Sequence, residues 1–117
     1  MKKTVSSIVE EYAHEARNDF IPFHWPYLDS NNAADLDIDL KAMDKTLKLV
    51  RALLARGFQA VDLIEDGGCI AWPDQSPEAV LGRIRHEWEA LGREPNLGDI
   101  CWFNLPDELQ DHPPAQV

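Results

Sequence analysis

SPEAVLGRIRHEWEALGREPNLGDICWFNL, residues 76–105, is the stretch of the chain that decides the fold. Ser76 is a favoured helix N-cap, and Pro77 fits the first helical position, where a backbone N–H is not needed. Gly92 is placed to end the helix in a left-handed conformation. Between them, large apolar residues recur at steps of three and four, as on one face of a helix: Leu81, Ile84, Trp88 and Leu91. The last six residues, 100–105, are almost continuously apolar and predict a strand that is covered on both faces.

Two more helices are predicted from apolar side chains at helical spacing. The first covers residues 4–19, and the second covers about residues 40–56 with Gly57 as its C-terminal cap. Gly82 lies inside the helix that follows Ser76, where glycine costs about 1 kcal/mol relative to alanine. We therefore expect Gly82 to pack closely against a strand or another helix.

Strand patterns occur in the middle of the chain. Residues 58–65 and 69–72 are predicted to form the two strands of a hairpin that turns at an Asp-Gly-Gly sequence. Residues 35–40 alternate aspartate with an apolar residue, which is also typical of a strand. In the alternative interpretation, Asp37 or Asp39 is the N-cap of the following helix.

The predicted elements follow the order α-(β)-α-β-β-α-β, in which the bracketed strand is 35–40. This order indicates an α+β fold, with a small, mostly antiparallel sheet of three or four strands packed against about three helices. With the bracketed strand, the core would be βαββαβ, a ferredoxin-like arrangement. The length of 117 residues suits one domain. We expect this domain to cover residues 1–105 and residues 106–117 to form a flexible C-terminal tail.

The charge balance limits the possible partners. The chain has 21 acidic and 11 basic residues, and its formal net charge is −10. This charge would repel nucleic acid and anionic membranes, whereas it would attract a basic protein. No stretch is apolar enough for a signal peptide or a membrane span, so a cytoplasmic protein is expected. The two cysteines, Cys69 and Cys101, are expected to be buried free thiols.

The sequence shows no complete catalytic or metal-binding motif. Glu10, Glu11 and His14 share one helix face, but carboxylate-bridged metal bundles need such a group twice. The aspartates of 35–40 lack the glycine and the glutamate of a calcium loop. Neither a nucleophile motif nor a phosphate-binding loop is recognisable. We therefore predict no catalytic residue, no metal and no cofactor.

Residues 20–39 combine aromatic and acidic side chains. Two prolines exclude a regular helix at 20–30, so we expect an extended segment there, either pinned into the core by its aromatic residues or exposed as a recognition surface. Aromatic side chains carry much of the binding energy at protein interfaces. The candidate binding residues are Phe23, His24, Trp25, Tyr27, Asp29, Asp35, Asp37 and Asp39.

These features favour a small acidic protein-binding module, monomeric or homodimeric. An immunity or antitoxin-type inhibitor of a basic partner, such as a toxin or nuclease, is the concrete form of this expectation. Two alternatives remain open. One is a regulatory or structural subunit that self-associates through exposed aromatic residues, and the other is a small hydrolytic or metal-assisted enzyme that uses His14 and His24.

Overall fold

The computed structural model describes residues 3–110, which form five helices and one four-stranded sheet. In chain order the elements are α1 (Val5–Glu15), β1 (Ile21–Pro22), α2 (His24–Ser30), α3 (Ala42–Arg56), β2 (Gln59–Leu63), β3 (Cys69–Ala71), α4 (Pro77–Leu91), β4 (Trp102–Asn104) and α5 (Asp107–Gln110). The predicted α+β fold is confirmed. Within residues 3–110, no helix is long and apolar enough to cross a membrane.

The sheet is antiparallel throughout, and its strand order is β1-β4-β2-β3. Phe103 of β4 lies opposite Ile21 on one side and Ala60 on the other, and all three residues are buried in the same core as the helices. The predicted hairpin is confirmed as the β2–β3 pair, in which Val61 lies opposite Ala71. The sheet and the long helices therefore share one hydrophobic core.

Residues 35–40 form turns instead of a strand, so the condition for a ferredoxin-like core is not met. Asp35 Oδ1 accepts a hydrogen bond from Val5 N–H at 2.8 Å, and Asp37 Oδ1 accepts one from Asp39 N–H at 2.9 Å. Short acidic side chains that bond to the backbone in this way stabilise turns and helix ends in preference to strands. The N-cap position of α3 is not an aspartate either.

Residues 20–30 are not extended throughout, because α2 covers most of them. Pro22 lies on β1, an edge strand, where proline is tolerated. Pro26 is the third residue of α2, and the first N–H groups of a helix have no intrahelical acceptor. The two prolines therefore exclude a long helix, but they allow a short one that begins between them.

The predicted C-terminal end of α3 and both predicted ends of α4 are confirmed, while α3 begins at Ala42. Ser76 Oγ accepts a hydrogen bond from Ala79 N–H at 3.4 Å, and Pro77 is the first residue of α4. Gly57 and Gly92 follow α3 and α4 with φ angles of +117° and +67°. Glycine adopts these angles without the steric penalty that a Cβ atom would bring, so both helices end there.

The chain after β4 differs from the flexible tail expected from the sequence. Helix α5 lies at the end of α3, where the Arg56 guanidinium donates hydrogen bonds to the carbonyl oxygens of Leu109 and Gln110. The Leu109 side chain packs against the core. Residues 106–110 are thus part of the folded body, and residues 111–117 of the expected tail lie outside the described residues.

The tryptophans and cysteines of the second half of the chain have largely structural roles. Trp72 and Trp88 are buried, and Trp102 is half-buried. Cys101 is buried, Cys69 is half-buried, and both are free thiols. Burial raises the pKa of the Cys101 thiol well above its ordinary value, which disfavours the reactive thiolate.

Candidate functional site

An open groove of about 610 Å³ lies between α1 and α2. Most of its lining comes from the exposed face of α1, and α2 contributes the rest. The apolar stripe of α1 faces the core, which leaves the carboxylates of the same helix to line the groove. We call this feature the acidic groove, and its lining residues are Ser7, Glu10, Glu11, Tyr12, His14, Glu15, Trp25 and Asp29.

Two aromatic rings form the apolar part of the acidic groove. The ring centres of Tyr12 and Trp25 lie 5.8 Å apart, and the ring planes are inclined by 58°. The Tyr12 hydroxyl donates a hydrogen bond to Asp29 Oδ2. Burial, and next the bond to Asp29, raise the pKa of Tyr12 far above its ordinary value, so the hydroxyl remains a donor at any physiological pH. This bond holds the Asp29 carboxylate at the hydroxyl of Tyr12, whose ring packs against Trp25.

The carboxylates of the groove are only partly neutralised by the chain itself. Glu10 Oε2 lies 2.9 Å from Arg56 Nε, and Glu11 lies 2.9 Å from Lys3 Nζ. The Glu15 carboxylate forms no ion pair or hydrogen bond with any other residue among 3–110. The groove therefore contains one carboxylate, that of Glu15, that the described part of the chain does not neutralise.

This arrangement suits an organic cation better than a metal ion. Within the part of the chain that the structure describes, no three His, Cys, Asp or Glu side chains are placed to hold a metal. The face of a tryptophan attracts ammonium and guanidinium groups, and carboxylates form charge-assisted hydrogen bonds with them. A lysine or arginine side chain can lay its aliphatic stem on an aromatic ring while its charged end reaches the carboxylates.

The structure does not bring the two histidines of the enzyme alternative together in the groove. His14 is exposed and lines the groove from α1. His24 begins α2 and is not part of the lining. The Nδ1 atom of His24 is buried and has no hydrogen-bond partner among residues 3–110. The acidic groove is therefore lined by one of the two histidines, His14.

The other predicted binding residues are dispersed. Phe23 is a core residue, 1% exposed, with its ring edge-on to Trp88 at 5.8 Å. The Tyr27 ring also packs edge-on against Trp88, at 5.5 Å, and burial and the nearby Glu94 raise the pKa of Tyr27. The three aspartates of 35–39 belong to the loop before α3, where two of them accept backbone hydrogen bonds. Of the candidates, Trp25 and Asp29 are the ones that line the acidic groove.

Sequence reasoning missed the α1 side of the groove. Glu10, Glu11 and Glu15 lie off the apolar stripe of α1, and such residues usually form a solvated face. The available signal was their helical spacing, which places them on one side of α1 together with His14. The spacing alone did not show that α2 would place Trp25 across from them.

Comparison with known proteins does not assign the chain to a family, because no family model matches it and no curated protein or solved structure shows significant similarity to it.

Proposed function

We propose that this protein is a binding module that holds a basic segment of a partner protein in the acidic groove. The observation that supports the proposal is one open groove that a half-buried Trp25 lines together with four carboxylate side chains. An aromatic ring in the same groove as an unpaired carboxylate matches the stem and the charge of arginine or lysine.

Each contact of a basic side chain with the groove contributes little binding energy, so stable binding requires a partner segment with more than one such side chain. A cation on the Trp25 ring contributes about 0.5–2 kcal/mol, and an exposed ion pair contributes about 0.2–1 kcal/mol. The chain itself contains the first kind of contact, since Arg83 Cζ lies 3.7 Å from the centre of the Trp72 ring. Because each interaction is small, a segment with several basic residues would bind, while a single free amino acid would bind only weakly.

The net charge of −10 adds attraction at long range. Such a charge speeds the encounter with a basic partner and makes association sensitive to salt. An inhibitor of the immunity or antitoxin type, which covers the basic surface of a toxin or nuclease, needs this fast association with a basic partner. This is the specific form of the function that we propose.

Isothermal titration calorimetry with a short arginine-rich peptide, at low and at high salt, tests the proposal. The groove variants are Trp25→Ala and the double variant Glu15→Gln/Asp29→Asn. The matched control is Glu65→Gln/Glu108→Gln, which removes the same charge from exposed positions outside the groove. We expect each groove variant to weaken binding by about tenfold, equivalent to about 1.4 kcal/mol, and the control to have a much smaller effect.

Equal weakening by the groove and control double variants would overturn the proposal, because binding would then follow net charge alone. Unchanged binding by Trp25→Ala would also contradict it, since the aromatic ring would then take no part. Circular dichroism of every variant would confirm that the comparison is between folded proteins.

A further inference from the structure

A second groove, of about 500 Å³, lies between α3 and α4 and carries the opposite charge. Its apolar lining consists of Leu40, Leu47 and Leu81. Its basic lining consists of Lys48, Arg51 and Arg85. We call this feature the basic groove. It shares no lining residue with the acidic groove.

Gly82 opens the basic groove to the backbone of α4. The sequence suggested that this glycine permits close packing, but that prediction is wrong: a Cβ atom at Gly82 would meet nothing within 4 Å. Glycine is less favourable in the interior of a helix than any residue except proline, and at Gly82 the folded chain gains no close contact in return. The missing side chain therefore leaves space in which an outside group can approach the helix closely.

The cations of the basic groove are only partly neutralised. Arg85 Nη2 lies 3.2 Å from Asp44 Oδ1, and Glu78 also lines the groove. The side chains of Lys48 and Arg51 form no ion pair or hydrogen bond with any other residue among 3–110. These two charges therefore stay available to a partner, beside the apolar side chains of the same groove.

We infer that the basic groove binds an acidic amphipathic helix of a partner protein. Apolar side chains at positions i, i+3 and i+4 of that helix would contact the leucine floor, as in other helix-in-groove complexes. Its carboxylates would lie opposite Lys48 and Arg51, and its backbone would cross α4 at Gly82. A small anion would use the cations but leave the leucine floor in water, so the combined lining favours an amphipathic segment. This inference does not depend on the function proposed for the acidic groove.

The test uses a display library of helical peptides of about four turns, with charged and apolar residues varied at every position. Selection on the wild-type chain should enrich peptides that have an apolar stripe flanked by glutamate or aspartate. The enriched peptides are then measured by fluorescence anisotropy against variants of the groove. Gly82→Leu fills the space over α4, and Lys48→Gln/Arg51→Gln removes the uncompensated charge.

Two matched controls separate the groove from general effects. Ala90→Leu adds the same side chain to an exposed position of α4 outside the groove, and Lys41→Gln/Lys45→Gln removes two charges from positions outside its lining. We expect Gly82→Leu and the Lys48/Arg51 double variant each to weaken binding by about tenfold or more, and the controls by less than about twofold.

Enrichment of basic or purely apolar peptides, or enrichment of none, would overturn the inference. The same holds for acidic peptides whose affinity is unchanged in Gly82→Leu, since they would bind elsewhere. Sedimentation of the chain alone provides a further check. Self-association that Gly82→Leu abolishes would show that the occupant is a second copy of the chain, which also overturns the inference.

Discussion

Replacing Arg56 with methionine removes a guanidinium that joins three helices. The Arg56 side chain on α3 is only 7% exposed, and its Nε atom donates to Glu10 of α1 at 2.9 Å. The two terminal nitrogens donate to the carbonyl oxygens of Leu109 and Gln110 in α5. Methionine keeps most of the aliphatic stem and adapts to irregular packing, so the main change is the loss of these bonds.

The two bonds to α5 should dominate the loss of stability. A hydrogen bond from a charged donor contributes about 1.5–3 kcal/mol. The Glu10 side chain is 59% exposed, so its ion pair contributes at most about 1 kcal/mol. Water can replace part of the lost bonds at the end of α5, and removal of a buried charge also offsets some of the cost. We therefore expect Arg56→Met to lower the free energy of unfolding by about 2–3 kcal/mol.

Urea unfolding followed by tryptophan fluorescence measures this change, provided that the dependence of the free energy on urea stays the same in the variant. Glu10→Gln is the matched control, because it removes the ion pair and leaves the bonds to Leu109 and Gln110 in place. The control should lose no more than about 1 kcal/mol. Hydrogen exchange should become faster in α5 of Arg56→Met and stay unchanged there in the control.

Two results would refute this reasoning. Equal losses in Arg56→Met and Glu10→Gln would show that the ion pair, and not the carbonyl bonds, carries the stability. A loss below about 0.5 kcal/mol in Arg56→Met is the size expected for an ordinary surface substitution. It would show that Arg56 does not hold α5 against α3.

Four further predictions each test one feature. Gly82→Ala should raise the free energy of unfolding by about 1 kcal/mol in thermal unfolding, because alanine favours the helix and its methyl group meets no atom within 4 Å. Gly57→Ala should lower the free energy of unfolding by more than about 2 kcal/mol. A side chain is strained at φ +117°, and its Cβ would lie 2.6 Å from a leucine methyl of α5. An unchanged free energy of unfolding would contradict the role of Gly57 as the cap of α3. The hydrogen bond from Arg93 lowers the pKa of Asp99 in the folded chain. The bond therefore stabilises the fold above the pKa that Asp99 has in the unfolded chain, and this stabilisation is lost as the pH falls through the folded pKa of Asp99. In an NMR titration, Arg93→Gln should move the Asp99 pKa back up toward its ordinary value. Burial raises the pKa of the Cys101 thiol, so this thiol should resist alkylation at mildly alkaline pH until the chain is unfolded. Mass spectrometry measures the labelling, and alkylation of Cys101 in the folded chain would contradict its burial.

The features that depend on neighbours in sequence were the ones that could be predicted. Ser76, Pro77 and Gly92 mark the ends of α4 because a cap needs only the residues beside it. Asp35 shows the limit of this reasoning. Its alternation with apolar residues suits a strand, but its carboxylate bonds to Val5, and no local pattern contains a partner 30 residues away.

The candidate site was predictable only in part, for the same reason. Trp25 and Asp29 stand out by composition, whereas the periodicity of α1 assigns Tyr12 to the core and its glutamates to solvent. Tyr12 is indeed buried, but its hydroxyl reaches Asp29 on another helix and so creates one wall of the groove. Gly82 shows the reverse error, because an unfavourable residue suggested close packing where the structure has open space.

An excess of acidic residues is weak evidence of function, because net charge often serves only to keep proteins apart. The placement of the charges is more informative. Glu10 and Glu11 each form an ion pair with a basic side chain, although the chain has few of these. Lys48 and Arg51 lack a carboxylate partner among residues 3–110. Each groove combines uncompensated charge with an apolar floor, and the two grooves share no lining residue. Effects of substitutions at separate sites usually add. Glu15→Gln/Asp29→Asn should therefore reduce binding of basic peptides and leave acidic peptides unaffected, and Gly82→Leu should do the opposite. If one of these variants abolished both activities, the two grooves would have to be parts of a single coupled surface.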